Sequence, residues 1–236
     1  MTAFFIANNV TRENPVHGDV EFTIPLQLEV SKNANFVGRD DTLQIIHEYI
    51  TSQRLQGPDR ITFSIFGMGG VGKTQIIQEY AYRYRKEFSA IFWVKANTYD
   101  SAVASYFSIA KTLVDYAGPN AQKIGLVDML DKMNPDSLSE AFAKKVVQAV
   151  KWWLTLEGNN KWLLLFDSWD DLQDERTESL IPNGSSGAVV ITSRKQDWAR
   201  SGQGREIVEM DEAASLKLLS RSSLSDYGES NQDGKS

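Results

Sequence analysis

Apolar residues are distributed along this chain in two kinds of pattern. Short runs of apolar or β-prone residues occur at Ile61–Phe66, Ala90–Val94, Lys161–Phe166 and Ala188–Thr192. Such runs predict strands buried on both faces, as in a parallel sheet. Between them, apolar residues recur every three or four positions, the signature of amphipathic helices. One such helix runs from Asp40 to about Arg54, with Leu43, Ile46 and Ile50 on its stripe, His47 at the margin, and Asp40 or Asp41 as cap. A second follows Lys73 and carries Ile76, Ile77, Tyr80, Ala81 and Tyr84. A third begins at Asp100 or Ser101 and carries Val103, Phe107, Ala110, Leu113 and Val114. Ser137-Leu138-Ser139-Glu140 has the form of a capping box and opens a fourth, through Trp152 and Trp153 to about Glu157. A short fifth strand, Glu206–Met210, precedes a last helix from Asp211 to about Ser220, with Ala214, Leu218 and Leu219 inward. Strands alternating with helices make an α/β domain with a parallel sheet and helices on both faces.

The remaining segments are less regular. Val20–Ile24 alternates like an exposed strand and stops at Pro25, and residues 117–136 hold at most a short helix around Ile124–Met133. Residues 1–32 are therefore expected to be an arm or linker and residues 33–221 the domain. Residues 222–236, polar and rich in serine and glycine, are expected to be a disordered tail.

Composition narrows the function. A net charge of −6 disfavours a nucleic-acid footprint or an anionic membrane surface, and no stretch approaches the length of a membrane span. The absence of cysteine excludes disulfides and thiolate metal sites and suits a reducing, cytoplasmic setting. His17 and His47 lack ligand-like spacing.

The candidate chemistry centres on Gly67-Met68-Gly69-Gly70-Val71-Gly72-Lys73-Thr74, which fits G-x-x-x-x-G-K-[ST] between a strand and a helix. Gly67, Gly69, Gly70 and Gly72 allow the backbone, Val71 included, to turn its N–H groups toward phosphate oxygens. The helix that follows adds its N-terminal dipole, with Gln75 in its first turn. Lys73 is suited to the β- and γ-phosphates and the Thr74 hydroxyl to Mg²⁺. Trp162–Asp167 delivers a carboxylate at a strand end, and Asp167 is suited to hold the same Mg²⁺; read blandly, it would be a helix cap. Asp170 and Asp171 crowd that strand end, as a water-orienting group or as solvated loop charges. Arg194, in Thr192-Ser193-Arg194, is suited to a γ-phosphate, or is an exposed basic residue.

Taken together, Phe36-Val37-Gly38-Arg39, Gly67–Thr74, Leu163–Asp171 and Thr192-Ser193-Arg194 resemble the NB-ARC nucleotide-binding domain of the STAND signal-transduction ATPases, in the flavour of fungal NOD-like receptor proteins. The resemblance covers roughly residues 33–220. It implies a P-loop NTPase three-layer αβα sandwich whose five-stranded parallel sheet has the order 2-3-4-1-5. It also implies that Phe36, Val37, Gly38 and Arg39 line an adenine and ribose pocket. Two departures stand out: Ser168 occupies a position where the family usually has Asp or Asn, and the chain ends before the family's helical and winged-helix subdomains.

The expected function is an adenine-nucleotide switch domain, ADP-bound at rest and Mg·ATP-bound when active. Hydrolysis is expected to be slow or absent, supported by Lys73, Asp167, Arg194 and, as water-orienting group, Asp170. Without the further subdomains, binding is expected to be micromolar or weaker, and the surface that would meet them is expected to take a protein partner or a second copy. The alternatives are a truncated interaction module and a P-loop enzyme such as a small-molecule kinase, although residues 117–136 contain no arginine to serve a lid.

Overall fold

The computed structural model describes residues 23–26, 32–57, 60–116, 127, 139–170, 176, 179–183, 187–196 and 203–229. Five helices and five strands organise them: α1 (Asp40–Gln56), β1 (Ile61–Phe66), α2 (Lys73–Arg83), β2 (Ala90–Lys95), α3 (Tyr99–Tyr116), α4 (Glu140–Leu154), β3 (Trp162–Asp167), β4 (Ala188–Ser193), β5 (Gln203–Glu206) and α5 (Glu212–Glu229). The sheet is wholly parallel, in the order β2-β3-β4-β1-β5. β1, which feeds the phosphate loop, lies beside β4, with Ile61 opposite Ala188 and Phe66 opposite Ser193.

The two-residue period of the strands divides the core into two layers. Phe63 and Ile65 of β1, Leu163 and Leu165 of β3, and Val190 of β4 face one side, where they pack with Leu43, Ile46 and Ile50 of α1 and Ile76, Ile77 and Tyr80 of α2. Phe92, Val94, Leu164, Phe166, Val189 and Ile191 face the other, against Tyr106 and Leu113 of α3 and Val146, Val150 and Trp153 of α4. These strands are buried on both faces because each face is roofed by helices, as the uninterrupted apolar runs require. The result is a P-loop NTPase three-layer αβα sandwich. None of its described helices is long and apolar enough to cross a membrane.

Several boundaries depart from the sequence expectation. β5 is Gln203–Glu206, ahead of the apolar residues that suggested Glu206–Met210. It is an edge strand pairing only with β1, so its segment needs no apolar run; Ile207 follows it and donates its N–H to the Phe66 carbonyl at 2.7 Å. The fourth helix is capped by Ser139, whose hydroxyl accepts from the Phe142 N–H, and not by Ser137, which lies outside the described residues. It stops at Leu154, where the Thr155 N–H closes the last turn on the Trp152 carbonyl at 3.0 Å and the Leu154 carbonyl accepts from the Trp162 indole N–H at 2.7 Å. Of the adjacent tryptophans, Trp153 is fully buried and Trp152 is half exposed.

At the start of α1 neither Asp40 nor Asp41 is the cap. That position is Arg39, in the left-handed region (φ 62°), and the two carboxylates instead pair with Arg83 (2.6 Å) and Arg205 (2.9 Å). α5 continues past Ser220 to Glu229, within the expected tail, where serines weaken a helix without breaking it and no proline intervenes. Leu219 points outward, at 67% exposure, because in the first part of α5 it is Ala214 and Leu218 that turn toward the domain. Ile24 is buried and its N–H donates to the Ser89 carbonyl at 2.7 Å, so within the expected arm or linker the segment Thr23–Leu26 lies against the domain. Of the expected strand Val20–Ile24, residues 20–22 lie outside the described residues, as do the short helix expected at 124–133 (Val127 excepted) and Asp171.

Candidate nucleotide-binding site

The site grows from the C-terminal ends of β1, β3 and β4, where a parallel sheet presents its loops on one side. β1 ends at Phe66 and the chain turns sharply at Gly67, whose φ of 146° suits glycine. A Cβ at Gly67 would also lie 2.3 Å from the Ile207 carbonyl oxygen, so only glycine lets the phosphate loop pass this close to the chain leaving β5. The loop then climbs through Gly70 (φ 84°) and Gly72 (φ 93°) into α2, which begins at Lys73. The first turn of α2 contains no acidic side chain, so its N-terminal dipole remains available to an anion.

Lys73 folds back over the loop and donates from Nζ to the carbonyls of Gly67 (2.8 Å) and Met68 (2.7 Å). Partial burial pulls its ammonium below the usual lysine range; Asp170 and Asp167 oppose that shift, and Arg194 adds to it. One residue on, the Thr74 hydroxyl donates to Asp167 Oδ1 at 2.8 Å. The Thr192 hydroxyl donates to the same oxygen at 2.7 Å and accepts from the Ser168 N–H at 2.8 Å. Asp167 is thus held by threonines from α2 and β4, and the chain turns immediately after it at Ser168, a left-handed residue with φ 62°.

Asp170 and Arg194 meet at the same strand ends. Asp170 Oδ1 accepts from the Arg194 backbone N–H at 2.6 Å and from the Ser193 hydroxyl at 3.3 Å, while Oδ2 pairs with Arg194 Nε at 3.2 Å. A hollow of about 230 Å³ lies between these groups and the loop, lined by Gly69, Gly70, Gly72, Lys73, Thr74, Ser168, Asp170 and Arg194.

Beyond Gly70 and Gly72 a larger cavity of about 460 Å³ opens, bounded by Phe36, Val37, Arg39, Val71, Gln75 and Ile76 on one side and by Met210 and Leu218 on the other. Val37 is buried, while Gly38 (φ 69°) sits under Ala214 and Met210. The Arg39 guanidinium is tied at one corner: Nη2 donates to the Val208 carbonyl at 2.6 Å and, at a long 3.5 Å, to that of Val71. Gln75 accepts from the Asn33 amide at 2.7 Å, and Arg221 of α5 donates to the Phe36 carbonyl at 3.0 Å. Most of the predicted site residues that are described line these two hollows; Gly38, Gly67 and Asp167 line neither, although Asp167 touches the smaller one through Thr74 and Gly67 through Lys73. A separate hollow of about 400 Å³ at the free edge of β2, lined by Trp93, Lys95 and the hydroxyls of α3, contains none of them.

The sequence reading missed Asn33, Glu209 and Met210, which also line the larger cavity. Asn33 carries a local sign, since its side chain accepts from the Asn35 N–H and shapes the turn before Phe36. Glu209 and Met210 carry none, because only the docking of the β5–α5 connector brings them there.

Comparison with known proteins agrees with this architecture. The ADPNP–ADP complexes of the Aeropyrum pernix ORC2 protein share the fold at a TM-score of 0.50 and 13% identity, over 82% of this chain and 54% of that one. Cdc6p from Pyrobaculum aerophilum aligns at a TM-score of 0.42 and 15% identity, over 80% of this chain and 49% of its own. A nucleotide-binding leucine-rich repeat (NLR)-like protein of Hyaloscypha variabilis is 28% identical over 225 residues, 87% of this chain but 20% of that protein. This chain thus spans about a fifth of that relative's length. The model of the NB-ARC domain matches residues 41–223, beginning just after the Phe36–Arg39 loop and running through the phosphate loop, Asp167, Arg194 and most of α5. With that match over most of its length and a P-loop sandwich around it, the chain belongs to the NB-ARC family and carries a nucleotide-binding domain.

Proposed function

We propose that this domain is an adenine-nucleotide switch that binds ADP and Mg·ATP and signals through the difference between them, hydrolysing ATP slowly or not at all. The observation that carries the reading is the convergence of Lys73, Thr74 and Asp167 at the mouth of the phosphate loop, next to a cavity walled by Phe36, Val37, Ile76, Met210 and Leu218. The larger hollow, apolar with a few amide groups, has the character of a base-binding cavity.

The donor set fits Mg²⁺. Thr74 and Asp167 present two hard oxygen ligands already in contact, the type this ion takes from protein when phosphates supply others. Thr74 Oγ1 and Asp167 would hold it, and once bound it would neutralise charge on phosphate oxygens. Lys73 is released from two carbonyls at little cost when a phosphate oxygen offers a charge-assisted partner in their place. Arg194 would contact the terminal phosphate and so favour ATP over ADP. Slow hydrolysis follows from Ser168, which offers no carboxylate beside Asp167, and from Asp170, whose two oxygens are already engaged by Arg194. That engagement argues against Asp170 as the group that orients water.

The test is a thermal-shift titration with Mg·ADP and Mg·ATP, since a ligand bound only by the native state raises its melting temperature. Lys73→Ala is expected to abolish the rise, the lost contact weakening binding roughly ten- to a hundredfold. The same protein, assayed for phosphate release, is expected to turn over at about 10⁻² s⁻¹ or slower. A rise that survives in Lys73→Ala would place the ligand elsewhere, and several turnovers per second would favour a dedicated enzyme.

A further inference from the structure

We propose that Asp170 is a positioning residue for Arg194, holding its guanidinium over the phosphate loop with the terminal nitrogens left for a terminal phosphate. The proposal rests on the reading above, in which Arg194 distinguishes ATP from ADP.

Three features of the geometry point to it. Asp170 grips Arg194 twice, by its backbone N–H at 2.6 Å and by Nε at 3.2 Å. Neither terminal nitrogen of Arg194 bonds to another described residue, so the side-on grip leaves the outer fork of the guanidinium open. The guanidinium also stands directly over the loop, since a Cβ on Gly69 would lie 3.8 Å from Nε and 3.9 Å from Cζ of Arg194. The three groups share one hollow with Lys73 and Thr74.

The pair has little value as a stabilising element, because the Arg194 side chain is 71% exposed and so exposed an ion pair is screened by solvent. Its value lies in orientation. An untethered arginine at a strand end samples many rotamers, and binding phosphate would have to freeze them; a carboxylate that holds Nε has removed most of that freedom beforehand. Charge matters as well. Asp170 adds a negative group beside a site for anions, which is unfavourable for phosphate unless an arginine is held there by it.

The two roles separate in Asp170→Asn. The single amide oxygen can still accept from the Arg194 backbone N–H, preserving the loop, but the amide nitrogen cannot accept from Nε. Titration calorimetry with Mg·ATP and Mg·ADP on the 236-residue chain would compare wild type, Asp170→Asn, Arg194→Ala and the double variant. Asp170→Asn is expected to lower the ATP-over-ADP affinity ratio by about three- to tenfold, in the same direction as Arg194→Ala. In the Arg194→Ala background it is expected to lower the ratio no further, and to raise it slightly by removing an unpaired negative charge beside the phosphate, because its loss in the wild-type background acts through Arg194. The melting temperature of the nucleotide-free chain should hardly move. An unchanged ratio in Asp170→Asn, with the ratio lost in Arg194→Ala, would overturn the positioning role while leaving the function of Arg194 standing. An unchanged ratio in Arg194→Ala would remove both. Equal losses for ATP and ADP in Asp170→Asn would show that Asp170 supports the loop as a whole, and would also overturn the proposal.

Discussion

Ser168 sits in a left-handed conformation (φ 62°) directly after Asp167, with its N–H held by the Thr192 hydroxyl. A residue with a Cβ loses roughly 1–2 kcal/mol there, and asparagine least, because its short amide tolerates this region. Ser168→Asn is therefore expected to stabilise the domain by about 0.5–1 kcal/mol, read as a higher urea midpoint at unchanged slope. A lower midpoint would mean that the Ser168 side chain makes a contact worth more than the strain. Residues of this kind mark how far the sequence is legible. Lys73, Thr74 and Asp167 are recognisable because the motif and the strand end demand those side chains at that spacing. The Arg194–Asp170 pair, Arg39 on the Val208 carbonyl, and Asn33 on Gln75 leave no such trace. They join polar groups far apart in the chain, and no local periodicity records which arginine meets which oxygen.

Elements are legible where burial is two-sided and obscure where it is not. β1 to β4 are continuous apolar or β-prone runs because helices cover both of their faces, and each was readable to within a residue or two. β5 consists of Gln203, Gly204, Arg205 and Glu206, an edge strand with no apolar pattern to read. Gly187 shows a subtler limit. In the sequence it is one more glycine ahead of β4; in the structure a Cβ there would lie 2.0 Å from the Trp162 ring. Trp162 is fully buried and tied by its indole N–H to Leu154, so it has nowhere to go. The Gly187 carbonyl also accepts from the Ile61 N–H at 3.1 Å, joining the starts of β4 and β1. Gly187→Ala is expected to cost about 1–3 kcal/mol, as overpacking does in a dense core, with the residues of the nucleotide site unaltered. Chemical denaturation measures it. A loss under about 0.5 kcal/mol, typical of harmless surface changes, would show that Trp162 can move aside.

At the scale of the molecule, the nucleotide site is closed by segments from the two ends of the domain. The loop Asn33–Arg39 lies against the connector after β5 and against α5, fastened by Arg39 to Val208 and by Arg221 to Phe36, while Arg205 of β5 pairs with Asp41 in the first turn of α1. The strand order that permits this was available from the family resemblance and not from periodicity, which reports faces and says nothing about neighbours. Among the described side chains of α5, one face meets the loop. Ala214 and Leu218 turn toward it, while Leu216 (59% exposed) and Leu219 (67%) stand three residues apart on a common outer face, with Val208 (64%) exposed in the connector leading to the helix. An exposed apolar face of this kind, beside a ligand site, has the character of an interaction surface. The 236-residue chain is therefore expected to self-associate through α5, with a sedimentation coefficient that rises with concentration. The net charge of −6 is too small to prevent contact at physiological ionic strength, where screening acts within about 8 Å. The double variant Leu216→Glu, Leu219→Glu should remain monomeric over the same range, because two like charges would then face two more across the contact. Nucleotide affinity should be nearly unchanged, since neither side chain lines the cavity. A wild-type chain that stays monomeric at every concentration would exclude a second copy as the occupant of this face, and association that persists in the double variant would move the contact away from α5.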